Sequence, residues 1–256
     1  MADNKEKLFS DFTAPSAQEW REKIEVDLKG ADYQKKMVWR TNEGFSVEPF
    51  YRKEDVDQLA TVNALPGEFP YVRGNKAASN EWHVRQDIKC ECPKAANEKA
   101  LDILNKGVDS IGFTVPAKEL SAEYIATLLD GIQAECVELN FQTCQCQSVE
   151  LAKILVAYFQ KKGYDPAKIE GSISFDPIGK MITKGKDTTD KLAYAKELVE
   201  ILAAYPKFQA IAVNAFALTN AGAYSYQDLG YALAWGNEYM AQLTEAGVAP
   251  EVAAQN

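Results

Sequence analysis

The segment from Cys136 to Gly163 reads CVELNFQTCQCQSVELAKILVAYFQKKG and contains a strand pattern followed by a helix pattern. Residues 137–141 alternate apolar and polar side chains, which is the period of a half-buried β-strand. After a polar stretch, apolar residues recur at helical spacing until Gly163, a residue typical of helix ends. We therefore predict a β-strand followed by an amphipathic helix, with Ser148 as the N-cap of that helix.

The same order of strand and helix recurs from about residue 80 onward. We predict five strands, at 84–88, 110–115, 136–141, 169–175 and 210–216. Repeated β-then-α units imply parallel strands joined by right-handed crossovers. The alternation within these strands is typical of a barrel, in which one strand face meets the lumen and the other meets the helices. The predicted fold class is therefore α/β, a TIM-type (β/α) barrel that is incomplete, with about five β/α units in residues 76–256.

Residues 1–75 differ from the rest and are predicted to form an N-terminal arm or extension with little core of its own. A capping box at Ser16 to Glu19 begins a helix. Two short β-like runs, 37–41 and 45–51, flank a turn. This pattern predicts a hairpin.

Composition and charge exclude several classes of function. The 256 residues are 46% apolar and carry a net charge of −9, so the chain has enough apolar material for a sizeable core. The negative charge disfavours nucleic acid and an anionic membrane surface as partners. No apolar run reaches the ~18 residues of a membrane helix. The first residues resemble neither a secretory signal nor a transit peptide, and the expected location is cytoplasmic.

Side chains for acid–base chemistry are scarce, because the sequence contains a single histidine, His83. Histidine is the usual proton donor, proton acceptor or metal ligand near neutral pH. No partner motif accompanies His83, so a structural or solvated role is favoured. A basic run at Lys180, Lys184 and Lys186 is similarly favoured as a solvated loop over a phosphate site.

Four of the five cysteines form two C-x-C pairs that follow the first and third predicted strands: Cys90, Cys92, Cys144 and Cys146. Both pairs would lie at the carboxyl-terminal mouth of a barrel, where four thiolates could bind zinc. The spacing is shorter than that of most zinc sites, and the two strands are not neighbours. Reduced loop thiols are therefore favoured over a metal site.

Two motifs resemble the entry segment of the methylmalonyl-CoA mutase family. They are PGEFPYVRG at Pro66 to Gly74 and WHVRQ at Trp82 to Gln86, which match a Pro-Gly-x-x-Pro-[Tyr/Phe]-x-Arg-Gly run and a Trp-x-x-Arg-Gln strand. The N-terminal arm is similar to the start of the family's small subunits. The resemblance implies a barrel for a CoA thioester, interconversion of methylmalonyl-CoA and succinyl-CoA, and a catalytic large subunit as heterodimer partner.

The resemblance also implies adenosylcobalamin as the cofactor of the holoenzyme. In the family, a histidine in an Asp-x-His-x-x-Gly motif ligates the cobalt. That motif does not occur in these 256 residues. We therefore expect no cofactor to be bound by this fragment.

The departures from the family pattern fall on the positions that the resemblance assigns to catalysis. Catalytic members have Tyr, Gln and Arg where this chain has Asp87, Ser174 and Lys184. Their catalytic histidine after the fifth strand has no counterpart here. Losing a positioned general acid typically costs ~10²–10⁴-fold in rate, and lysine lacks the bidentate recognition that arginine gives a carboxylate. The resemblance thus implies that this chain has no catalytic residues.

The same resemblance marks Arg73 and Arg85 as positions that hold CoA in active members. Ion pairs that brace the barrel mouth are an equally favoured role for them here. We expect a catalytically silent barrel that stabilises or regulates an active partner, and whose open strand edges favour self-association. Two alternatives stay open: an active acyl-CoA mutase with another substrate, using Asp87 or Lys184 in new roles, and a cysteine-based metal or redox module.

Overall fold

The computed structural model describes residues 8–79 and 81–256, which fall into two compact units within Met1–Asn80 and Glu81–Asn256. The first unit begins with helix α1 (Ala17–Leu28), which has the predicted capping box. The Ser16 hydroxyl accepts from the Glu19 amide at 3.2 Å, and the Glu19 carboxylate accepts from the Ser16 amide at 2.7 Å. Each contact satisfies an amide that the first helical turn leaves without a partner.

The rest of the first unit is short elements around a small hairpin: α2 (Tyr33–Lys36), β1 (Trp39–Arg40), β2 (Ser46–Val47) and α3 (Lys53–Val56). Strands β1 and β2 pair antiparallel, as predicted. Gly44, with φ of +92°, lies in the turn between them. Within residues 8–79, Val38 is the one hydrophobic side chain that is buried, so this unit has little core of its own.

The second unit is built on five parallel strands: β3 (Arg85–Lys89), β4 (Ser110–Thr114), β5 (Glu138–Gln142), β6 (Glu170–Phe175) and β7 (Lys207–Ile211). Their order in the sheet is the order in the sequence. Right-handed crossovers between such strands place every connecting helix on the same face of the sheet. A doubly wound sheet would instead reverse its strand order and carry helices on both faces. The predicted partial (β/α) barrel is therefore confirmed.

Eight helices accompany this sheet in the described chain: α4 (Pro93–Leu104), α5 (Ala122–Leu128), α6 (Ser148–Lys162), α7 (Pro177–Lys184), α8 (Ala193–Leu202), α9 (Phe216–Asn220), α10 (Ser225–Glu245) and α11 (Pro250–Ala253). Alternate strand residues such as Phe113, Phe141 and Phe175 form the core with helix side chains such as Leu151 and Leu198. Within the described residues, no helix combines the length and the apolar composition that crossing a membrane requires.

Two predicted boundaries are wrong. The fifth strand runs from Lys207 to Ile211 rather than over 210–216, because this placement brings Phe208 into register with Gly171. Apolar residues beyond it belong to the loop and to α9. Ser148 is the first residue of α6 and not its N-cap, because a 3₁₀ turn already reorients the chain just before it.

Candidate functional site

The polar face of the five-stranded sheet borders an open cavity of about 440 Å³. Alternation along each strand sends apolar residues to the helices and polar residues to this face. The cavity lies toward the carboxyl-terminal ends of the strands, where (β/α) barrels carry their active sites. Its polar lining comes from four strands and the loop after β7: Arg85, Asp87, Thr114, Asn140, Gln142, Ser172, Ser174 and Asn214.

Asp87 and Arg85 form an ion pair in this cavity. The Arg85 Nε donates to Asp87 Oδ1 at 2.9 Å, and the two side chains are 50% and 71% exposed. The pair lies directly over Gly112 of the neighbouring strand, because a Cβ added there would be 1.9 Å from Asp87 Oδ1. Asp87 is therefore a paired carboxylate that lies where the adjacent strand lacks a side chain.

A hydrogen-bonded network crosses the floor of the sheet. Ser172 Oγ donates to Asn140 Oδ1 at 2.6 Å, and Asn140 Nδ2 lies 3.2 Å from both Ser110 Oγ and Glu138 Oε2. Ser110 Oγ also donates to Glu138. Each of these groups thus has a partner inside the protein, which fixes the side chains of the floor in one arrangement.

His83 lies at the opposite end of the sheet from the cavity mouth. Its Nδ1 is 3.2 Å from Asp109 Oδ2, and the other Asp109 carboxylate oxygen accepts from the Val84 amide at 2.6 Å. These residues directly precede β3 and β4, so they mark the amino-terminal edge of the parallel sheet. This position, with the His83 side chain 52% exposed, agrees with the favoured structural or solvated role.

Of the three positions that the resemblance was expected to assign to catalysis, the structure brings two together. Asp87 and Ser174 line the same cavity, whereas Lys184 is the exposed last residue of α7 and does not line it. Lys180 borders a separate small cavity of about 70 Å³ beside Asp176. Arg73 is an exposed residue of the N-terminal unit.

The four C-x-C cysteines do not converge on a metal site. In the described chain, His, Cys, Asp and Glu side chains form no group of three or more able to hold a metal ion. Cys90 is buried, and burial raises the pKa of its thiol to about 12. The other three of these thiols are exposed and reduced: Cys92, Cys144 and Cys146. The four-thiolate zinc site is therefore wrong for this structure, since a zinc ligand must be a thiolate close to its fellow ligands.

The residue that the sequence patterns missed is Asp176, which follows β6 and is only 6% exposed. Its Oδ1 accepts from Tyr239 Oη at 2.7 Å, from the Gly179 amide at 3.0 Å and from Trp235 Nε1 at 3.1 Å. Its Oδ2 accepts from the Asn214 amide at 3.2 Å. The carboxylate thus joins β6, α7, α10 and the loop after β7 at the mouth of the sheet.

Burial raises the pKa of the Asp176 carboxyl above its usual range, although all four donors oppose that shift. Two local signals were available in the sequence. An aspartate before Pro177 is typical of a helix N-cap. Trp235 and Tyr239 are four residues apart, so they lie on one face of a helix. Neither signal reveals that these two features meet.

Comparison with known proteins agrees with this architecture. The family model described as "Methylmalonyl-CoA mutase" matches residues 40–119 and 120–256. The methylmalonyl-CoA mutase small subunit of Porphyromonas gingivalis is 47% identical over 98% of this chain and 41% of its own length. The small subunit of Streptomyces virginiae is 27% identical over 96% of this chain and 41% of its own length. The large subunit from the same organism is 24% identical over 91% of this chain and 35% of its own length.

The chain spans about two fifths of the length of the small subunits that it matches. The family match covers the hairpin of the first unit from Arg40 onward and the whole five-stranded sheet of the second. With a family model over most of its length and a relative 47% identical across 98% of it, the chain belongs to the methylmalonyl-CoA mutase family.

Proposed function

We propose that this chain contributes assembly rather than chemistry to a methylmalonyl-CoA mutase, as the N-terminal part of a small subunit. The observation that carries this proposal is the position of its one imidazole. His83 is the single histidine of the sequence and lies at the amino-terminal edge of the sheet, bonded to Asp109. Barrel chemistry takes place at the opposite edge, so this histidine is unsuited to act as a general acid in the cavity.

The groups that do line the cavity support the same proposal. The carboxylate of Asp87 is already paired with Arg85, and Ser174 offers a neutral hydroxyl. A general acid needs a titratable group within hydrogen-bond reach of the substrate and a pKa near the working pH. The described lining residues include no imidazole, and Lys184 lies outside the cavity.

Adenosylcobalamin, the family cofactor by resemblance, does not fit the donor set of this chain. Cobalt ligation in the family uses an imidazole, and His83 already bonds Asp109 at the edge away from the cavity mouth. In the proposal, a catalytic large subunit binds the cofactor.

The N-terminal unit is the proposed contact surface for that large subunit. Apolar side chains are more than half exposed on it, including Phe12, Val26, Trp39 and Phe69. An apolar surface of this kind is typical of a protein–protein interface. The names of the relatives, which include both a small and a large subunit in one organism, support a heterodimer for this chain.

Activity measurements test the catalytic half of the proposal. The 256-residue chain, supplied with adenosylcobalamin and (R)-methylmalonyl-CoA, should give no succinyl-CoA above the background without protein. Calorimetry with CoA thioesters should show no saturable heat. Turnover by the isolated chain would refute the proposal and favour the alternative of an active mutase with changed residue roles.

Deletion of residues 1–50 tests the assembly half. The truncated chain should lose affinity for a catalytic large subunit by about tenfold or more, because it removes apolar contact area. Its far-ultraviolet circular dichroism and the emission of buried Trp235 should show that the barrel unit still folds.

A matched pair of substitutions adds a control to this experiment. Trp39 and Leu233 are equally exposed, at 66% and 65%, on the N-terminal and barrel units. Trp39→Ser should weaken the heterodimer more than Leu233→Ser does. The reverse order, or unchanged affinity of the truncated chain, would contradict the role of the N-terminal unit.

A further inference from the structure

The cavity on the sheet is internally neutralised. Among the described residues that line it, Arg85 is the one cationic side chain and Asp87 the one anionic side chain. They are bonded to each other, with 2.9 Å between Arg85 Nε and Asp87 Oδ1. The remaining polar lining consists of hydroxyl and amide groups. A ligand therefore meets a guanidinium that already has a carboxylate partner.

Gly112 is what allows this pairing. A Cβ at this position would be 1.9 Å from Asp87 Oδ1 and 2.8 Å from an Arg85 terminal nitrogen. Without a side chain there, both groups fold down against the neighbouring strand. The Asp87 carboxylate thus occupies the position beside Arg85 that the carboxylate of a small anionic ligand would otherwise take.

We propose that Asp87 determines the ligand specificity of the cavity, as an internal ligand of Arg85 that excludes small carboxylates. A carboxylate that enters must separate the Arg85–Asp87 pair and then face the Asp87 charge. Replacing this carboxylate by an amide changes the formal charge of the described lining from zero to +1. The site then becomes a receptor for a carboxylate, with the amides and hydroxyls of Asn140, Ser172 and Ser174 beside it.

This specificity goes beyond the proposed assembly role and does not depend on it. The binding measurement uses the 256-residue chain alone, so its failure leaves the heterodimer proposal untouched. Likewise, a failure of the chain to join a large subunit would not change what its cavity binds.

The experiment is a calorimetric titration of malonate into Asp87→Asn and the unaltered chain. Two charges about 4 Å apart interact by about 1 kcal/mol even in water, which corresponds to about fivefold in affinity. Asp87→Asn should therefore bind malonate at least about fivefold more tightly. Malonamide, which has a similar size and no charge, should show no such gain. Circular dichroism of each variant verifies the fold, and Asp87→Ala serves as a second removal of the charge.

Two control variants separate the cavity from the general charge of the protein. Asp102→Asn also removes one carboxylate that pairs with a cation, in this case Lys106. Asp102 lies on helix α4 and does not line the cavity, so this variant should leave malonate binding unchanged. Arg85→Gln combined with Asp87→Asn should abolish the gain. If Asp87→Asn and Asp87→Ala bind malonate no more tightly than Asp102→Asn does, or if the gain survives loss of Arg85, the proposal is wrong.

Discussion

Tyr239→Phe removes one hydroxyl from the buried cluster that joins α10 to the carboxyl end of β6. Tyr239 Oη donates to Asp176 Oδ1 at 2.7 Å and accepts from the Ile178 amide at 3.0 Å. The phenylalanine retains the ring and its packing. The carboxylate keeps three donors, and the Ile178 amide loses its acceptor, so the substitution isolates the hydrogen bonds of one oxygen atom.

The expected loss follows from the charge of the acceptor. A hydrogen bond to a charged group contributes about 1.5–3 kcal/mol to stability, and a bond between neutral groups about 0.5–1.5 kcal/mol. We expect Tyr239→Phe to lower the free energy of unfolding by about 2–3 kcal/mol. The matched control is Tyr158→Phe, which removes the hydroxyl of another buried tyrosine (7% exposed, against 3% for Tyr239) that is bonded to the neutral Leu129 carbonyl at 3.0 Å. It should cost about 1 kcal/mol.

The pH dependence gives a second, independent criterion. The pKa of Asp176 is raised by burial, so the folded chain binds this proton more readily than the unfolded chain, and the ionised carboxyl destabilises the fold as pH rises through the folded pKa. Tyr239→Phe removes a donor that favours ionisation and should raise this pKa further. The loss of unfolding free energy caused by Tyr239→Phe should therefore be largest at neutral pH. It should become smaller as pH falls and the Asp176 carboxyl becomes protonated. The cost of Tyr158→Phe should change little over the same range.

Urea unfolding measures both quantities, from about pH 7 to about pH 4. Trp235 lies in the cluster and is 4% exposed, whereas the other three tryptophans are at least 45% exposed, so its emission reports on the cluster directly. The reasoning fails if Tyr239→Phe costs no more than Tyr158→Phe at neutral pH, or if the difference between the two variants does not depend on pH.

Two further predictions concern the sheet and the thiols. Gly171→Ala should destabilise the barrel unit by about 3 kcal/mol or more, because the new Cβ would be 1.9 Å from the Leu139 carbonyl oxygen. The control Gly163→Ala, at a φ of +72° with open space around it, should lower the free energy of unfolding by about 1 kcal/mol. Similar melting temperatures for the two variants would contradict this prediction. Cys90 should react with an aromatic disulfide reagent only when the protein unfolds, because burial raises the pKa of its thiol to about 12. The four exposed thiols should react in the folded protein. Equal reactivity of all five cysteines would refute the buried position of Cys90.

Local periodicity explains why much of the fold was predictable. The alternation in segments such as 136–141 and 169–175 is a property of neighbouring residues, and it identified these strands before any tertiary contact was known. The fifth strand was misplaced because a run of apolar residues near Ala210 has no clear alternation. Its register depends on the partner strand, which pairs Phe208 with Gly171. A slip of one residue would move every side chain to the opposite face.

From the sequence, the candidate site could be predicted only as individual residues, and not as contacts between them. Asp87 and Ser174 were singled out by resemblance to a family pattern, and the structure places both on one cavity; that they replace catalytic residues stays a prediction. The sequence could not exclude the alternative of four converging cysteines, because C-x-C spacing brings together neighbours within a loop but leaves the distance between loops undefined. That Asp87 is the partner of Arg85 was also not predicted. The two residues share a face of β3, but the space in which they pair exists because Gly112 of the neighbouring strand has no side chain.

The sequence by itself determined the strand-then-helix order, the family and the scarcity of imidazole, because each of these is written in residue identity and short-range spacing. Only the tertiary structure decided which charges neutralise each other and which carboxylate is buried. Asp176 meets Trp235 and Tyr239 from about 60 residues away along the chain. Such a contact depends on how the helices pack around the sheet, and packing is a property of the whole chain that no local pattern encodes.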